Sequence, residues 1–256
     1  MTVEVGRHIE MLDLDGRILF EAAGRVELTA PVPTCPQWDI RELLAHIGYV
    51  HRWATAYVAG AVSEMVDELD DEAILAAAPP DGEILEWFRE GHASLVRALA
   101  DAPSDLVCWT FLEAPSPLAF WARRQAHETC VHRVDAQLAA RVDVGAIDPE
   151  CAVDGIEELL MGFFGREPAE EPPALEVLGV IGIEAADGSA RWAIEILADR
   201  FRTSRGFDLS DTVVRGPAAD LYLLLWNRRP GLDGVEVEGS VELLDIWRGR
   251  SQVVWA

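Results

Sequence analysis

A chain of 256 residues that is 50% hydrophobic has enough apolar surface for one large core or two small ones, and it reads as globular. Its 45 acidic against 21 basic side chains give a formal charge of −24, a field that repels phosphate backbones and anionic lipid surfaces and argues against nucleic acid and membrane as partners. The N-terminal MTVEVGRHIEMLDLDG has no long apolar run, no stretch approaches the ~20 apolar residues of a membrane span, and Cys35, Cys108, Cys130 and Cys151 form no C-x-x-C motif. These features predict a cytoplasmic protein with reduced thiols.

In chain order, apolar spacing predicts a first helix over residues 7–25, broken by PVPTCP. A second helix is expected over 39–59. It opens on a D-x-x-E capping box, Asp39 to Glu42, and places Ile40, Leu43, Leu44, Ile47, Val50, Ala54 and Tyr57 at helical spacing. After the APPDGE break, ILEWFREGHASLVRALA forms a third helix with Leu85, Phe88, Leu95 and Leu99 inward. DAPSD, the apolar LVCWTFL and the turn-like EAPSP lead to a fourth helix over 119–138. Four helices with room for crossover connections predict a bundle occupying 1–142.

From 143 to 256 the texture changes to short β-rich runs bounded by Gly, Pro and Asp, the pattern of an α+β domain. EVLGVIGIEA, RWAIEIL and VEVEGSVELL read as strands, and DGIEELLMGFF and PAADLYLLLWN as helices. The acidic REPAEEPPA reads as a loop inside this domain.

The chemistry concentrates in HETCVH, residues 127–132. On an ideal helix Glu128 and His132 differ by roughly 40° in azimuth, so both can reach one point in space as metal ligands. Trp121, Arg124 and Asp135 share the same broad sector, and Asp135 is placed to orient a liganding imidazole at His132. A third ligand must come from elsewhere. His46, on the inner half of the second helix, leads, with His51 as competitor and His8 and His92 behind them.

Bland readings compete at each position. A Glu/His pair four apart also fits a solvated ion pair, and a lone His on an apolar face also fits a hydrogen-bonded core residue. Val131 stands where H-E-x-x-H needs its second histidine, which removes a metalloprotease. Cys130 lies roughly 160° around the helix from His132, too far for a Cys/His nucleophile, and reads as a buried thiol. Glu157, Glu158 and the run DELDDE read as solvated faces without acid/base roles. Nucleotide-binding and serine-hydrolase motifs are missing.

Taken together, WDIRELLAHIGYVHRW, FWARRQAHETCVHRVDAQ, DPECAVDGIEELL and RGPAADLYLLLWNRR with VEGSVELL closely resemble the mycothiol-dependent maleylpyruvate isomerase family. The resemblance covers most of the chain. It implies a DinB-like four-helix bundle over 1–142 followed by a smaller, sterol-carrier-like α+β domain over 143–256. It further implies a divalent metal, usually zinc, on His46, Glu128 and His132, and mycothiol as a thiol cosubstrate. In such a protein the thiolate adds to, isomerises or is transferred to a small electrophilic substrate, so the chain is expected to be a thiol-using isomerase or S-transferase. A metal with an open position would deliver thiolate without a protein cysteine. Substrate and cofactor need cations in so acidic a protein. The candidates are Arg228 and Arg229, grouped with Asp135 as the catalytic set, and Arg123 and Arg124, grouped with Trp121 at the thiol cofactor. The alternative is a non-catalytic protein with a structural metal that binds or senses a small apolar ligand.

Overall fold

The computed structural model describes residues 3–65, 76–165, 176–188, 190–229 and 231–253, and the chain folds as two compact units that divide between Gly145 and Ala146. The first unit is built from α1 (Val5–Ala23), α2 (Ile40–Gly60), α3 (Asp81–Asp101) and α4 (Pro117–Ala139). α1 packs on α4 and α3, and α2 packs on α3 and α4, so consecutive helices α1 and α2 occupy diagonal corners of a four-helix bundle. The long connections after α1 and α3 carry the two diagonal crossings.

Local chemistry explains the helix starts. Asp39 accepts from the Glu42 N–H at 3.0 Å while the Asp39 N–H donates to Glu42 Oε2 at 2.8 Å, a complete capping box worth about 1 kcal/mol. Ser116 caps α4 by accepting from the Ala119 N–H, and Pro117 sits in the first turn where its missing N–H is no loss. α4 therefore begins before the apolar pattern, and α1 likewise runs 5–23 rather than 7–25 with Gly24 as its cap. The apolar pattern marks core-facing residues, whereas backbone bonding sets the ends. On α3, Ile84 takes the fully buried inner position and Leu85 is half-buried at its side, a correction to the expected inner face.

α4 departs from an ordinary amphipathic helix because it is buried nearly all round, and its buried face includes Arg124, Gln125, Glu128, Thr129, His132, Arg133 and Asp135. Buried polar groups are stable only with partners. Arg133, 3.1 Å from the Asp15 carboxylate, ties α4 to α1. Cys130, nearby, is a buried thiol whose pKa is pushed far up by burial and by the Asp15 charge.

In the second unit, Asp148 caps α5 (Pro149–Glu157), which continues into a π-helix over Glu158–Phe163. A five-stranded sheet follows: β1 (Val177–Ala185), β2 (Arg191–Leu197), β3 (Phe201–Arg205), β4 (Thr212–Gly216) and β5 (Glu236–Gly239), in the order β3-β2-β1-β4-β5. Only the β1/β4 pairing is parallel. α6 (Ala218–Leu225) and α7 (Val241–Arg250) pack against this sheet. The expected strand VEVEGSVELL divides. Its first half is β5, Gly239 turns the chain with a φ of +106°, and from Val241 the chain is helical.

Glu157 and Glu158 also correct the expectation of a solvated face. Glu158 is buried, and Glu157 accepts from the Trp192 indole N–H at 2.8 Å and from Arg205. DELDDE and REPAEEPPA lie outside the described residues. Among the described residues no helix is long and apolar enough to cross a membrane.

Candidate metal centre

The capping box starts α2 so that His46 falls on its inner face, and α4 presents Glu128 and His132 one turn apart. All three are buried, and one ligand atom of each lies within 4.8 Å of the others. Glu128 Oε1 is 3.0 Å from His46 Nε2 and 3.2 Å from His132 Nε2. Ligands on a tetrahedral zinc at ~2.0–2.1 Å stand ~3.3 Å apart, so the spacing and the two-imidazole, one-carboxylate donor set both fit a divalent cation.

The surroundings favour that fit. His132 Nδ1 is 2.8 Å from Asp135 Oδ2, and Asp135 has no exposed surface. An Nδ1–H donated to this carboxylate leaves the Nε2 lone pair aimed at the cluster, the usual second layer of a histidine metal site. The other Asp135 oxygen accepts from the Thr34 hydroxyl, and the half-buried Cys35 thiol lies 3.7 Å from Oδ2, so the segment before α2 is pinned to the same carboxylate. Trp38, from that segment, lies over both imidazoles, its ring 4.8 Å from His46 and 5.7 Å from His132.

The electrostatics are those of a strongly coupled set. For Glu128, burial works against the ionised form, but hydrogen bonds from His132 and His46 outweigh it and hold its pKa well below the ordinary carboxylate range. For His132, burial opposes the imidazolium, and the bonds to Asp135 and Glu128 overcome it and raise the pKa. Without a metal, the donor set is thus held together by protons that a metal would displace.

His51, the competing ligand, goes elsewhere. Its Nε2 meets Thr129 Oγ1 at 2.9 Å inside the bundle core, its ring packs 5.6 Å from His92 and from Phe88, and burial, with the charge of His92, lowers its pKa well below normal.

The other expected site residues are placed as follows. Arg124 is fully buried and donates to Glu128 Oε2 at 2.9 Å. Arg123 is half-buried and roughly 140° around the helix from Glu128, so it faces away from the cluster. Trp121 has no exposed surface, donates its indole N–H to the Trp109 carbonyl and stacks on Tyr57 at 5.3 Å, which places it in the aromatic core of the bundle. Asp135, grouped with the catalytic set, lies against the His132 ring. Arg228 and Arg229 belong to the second unit, where Arg228 donates to the Trp226 carbonyl at 2.9 Å and Arg229 pairs with Asp220. Thr34 and Trp38 were not singled out by sequence, because a loop residue carries no periodicity that would mark its direction.

Comparison with known proteins gives the family and the fold. Residues 15–137 match the family model described as the mycothiol maleylpyruvate isomerase N-terminal domain, and residues 150–245 match the MDMPI C-terminal domain. The chain belongs to the mycothiol-dependent maleylpyruvate isomerase family. Two solved structures, a mycothiol-dependent maleylpyruvate isomerase and a mutant of it, share its fold. They align with TM-scores of 0.64 and 0.65, at 16% identity, over 92% of this chain and 93% of theirs. No curated protein sequence matches the chain at a significant level. The N-terminal model falls on the helical bundle and the C-terminal model on the α+β unit.

Proposed function

We propose that the protein is a metal-dependent enzyme that activates a low-molecular-weight thiol, mycothiol by family, for addition to or isomerisation of a small electrophilic substrate. The metal, zinc by family resemblance, is held by His46, Glu128 and His132. The observation that carries the reading is one buried carboxylate oxygen, Glu128 Oε1, set 3.0 and 3.2 Å from two imidazole nitrogens, with Asp135 behind one of them. Among the described residues this cluster offers three donors, the number that leaves a catalytic zinc one position for an exogenous ligand. When bound, the metal supplies Lewis acidity that lowers the pKa of a coordinated thiol and yields thiolate at neutral pH.

The chain's own residues do the remaining work. Asp135 fixes the His132 tautomer and ring plane, and Thr34 fixes Asp135 in turn. Trp38 walls the imidazoles on one side and limits water at the cluster. Of the protein thiols, Cys108, Cys130 and Cys151 are buried, and half-buried Cys35 lies against Asp135.

The test is to load the protein with cobalt as a spectroscopic substitute, titrate it with mycothiol, and follow isomerisation of maleylpyruvate and addition to a panel of activated alkenes, beside His132→Ala. A sulfur-to-cobalt charge-transfer band and turnover that both vanish in His132→Ala are expected. Metal binding with no thiol band and no turnover on any substrate would refute the enzymatic reading.

A further inference from the structure

The two oxygens of Glu128 have different company. Oε1 faces His46 and His132, whereas Oε2 accepts from Arg124 Nη2 at 2.9 Å, one turn earlier on α4. Neither partner is a surface group, because the Arg124 side chain is 1% exposed and that of Glu128 is 7% exposed. Burying a guanidinium is costly unless a carboxylate sits against it, and a metal would draw on the same carboxylate from the other side. Arginine suits this position because its charge is permanent and its planar donors have a fixed direction, so it cannot be neutralised when a second cation arrives.

We propose that Arg124 is the positioning residue of the metal centre. It engages Glu128 Oε2 and so keeps the carboxylate a one-oxygen ligand through Oε1, which preserves a coordination position for the thiol. Its charge offsets that of Glu128 and keeps the bound metal a stronger Lewis acid than two imidazoles and an unshared carboxylate would. The inference rests on the metal and thiol reading given above. Arg124 touches neither the thiol nor the electrophile in this scheme and acts only through Glu128.

Arg124→Met removes the charge and donors while keeping an apolar stem, and Arg124→Lys restores a cation. Both are made in the full chain, checked for folding by thermal melt, and loaded with cobalt. In Arg124→Met the freed Oε2 is expected to join the metal, so the visible cobalt absorption drops several-fold as the coordination number rises. Mycothiol affinity, read from the charge-transfer band, weakens about ten- to hundred-fold. Arg124→Lys is expected to keep a spectrum close to that of the native protein. An Arg124→Met spectrum and thiol affinity equal to the native ones would overturn the proposal.

The metal-loaded native protein gives a second test that does not depend on how the variants fold. X-ray absorption and crystallography are expected to find one short bond from Glu128, with Oε2 still on Arg124. Two equal metal–oxygen bonds would overturn it. Native protein that takes up cobalt but no thiol refutes the thiol chemistry alone, and the coordination change in Arg124→Met then still decides the role of Arg124. Native protein that takes up no cobalt refutes the metal reading and this inference with it.

Discussion

Asp135→Asn isolates the electrostatic part of the metal centre. The amide has the shape of the carboxylate it replaces, so its oxygen can accept from His132 Nδ1, now at 2.8 Å from Asp135, while its amine turns to the Thr34 hydroxyl, which accepts instead of donating. Packing around this fully buried side chain is retained, and the loss is one negative charge behind the imidazole. Partners of this kind contribute about ten- to hundred-fold in metal affinity, which corresponds to about 1.4–2.7 kcal/mol. The expected result is a zinc Kd weakened by that factor, measured at neutral pH by competition with a chromogenic chelator. A thermal melt of the metal-free variant checks that it is folded, since the same charge supports the His132 imidazolium when no metal is bound. A folded Asp135→Asn protein with the native zinc Kd would refute the claim that Asp135 tunes His132 for a metal.

His46→Ala should abolish stoichiometric metal binding, whereas His51→Ala should keep it per folded molecule and lose about 1–3 kcal/mol of stability by leaving the Thr129 hydroxyl alone in the core, with metal analysis after gel filtration as the measurement. Equal metal loss in both would overturn the choice of His46. The His51 pKa is depressed in the folded state, so its contribution is complete above the unfolded value of about 6.5 and is lost as pH falls from there toward the folded value. The stability difference between the native protein and His51→Gln should therefore shift against the native protein by up to ~1.4 kcal/mol per pH unit below about 6.5, and a pH-independent difference in denaturant midpoints would contradict this. An aromatic disulfide reagent should label half-buried Cys35 first and reach Cys130, buried with its thiol pKa pushed up by burial, only on unfolding, and peptide mapping that finds equal rates would refute the burial argument.

The helices of the first unit were legible because their signals are local. The Asp39/Glu42 box, the Pro117 start and the apolar rows of α2 act between residues a turn apart. β3 and β4 were not singled out because FRTSR and TVVRG are five-residue strands whose pairing with β2, β1 and β5 lies elsewhere in the chain. The first turn of α7 reads as strand because VEVEG and VELL join into one β-rich run, which the positive φ at Gly239 divides. Glu157 and Glu158 looked like a solvated pair because acids usually are, and what buries one and pairs the other is the packing of the π-helix region against partners such as Trp192 and Arg205.

The sequence by itself determined that Glu128 and His132 share one face of one helix, since a four-residue step on a helix fixes their azimuths whatever surrounds them. It also determined that α2 begins at a capping box with histidines 46 and 51 downstream. Which of those histidines meets the pair was decided only by the tertiary structure, because both are buried and roughly 140° apart on α2, so the corner that α2 occupies selects His46 for Glu128 and sends His51 to Thr129. The same holds for Thr34 on Asp135 and Trp38 over the imidazoles, which come from a loop whose direction no periodicity encodes and which is held by contacts with α4 about a hundred residues away.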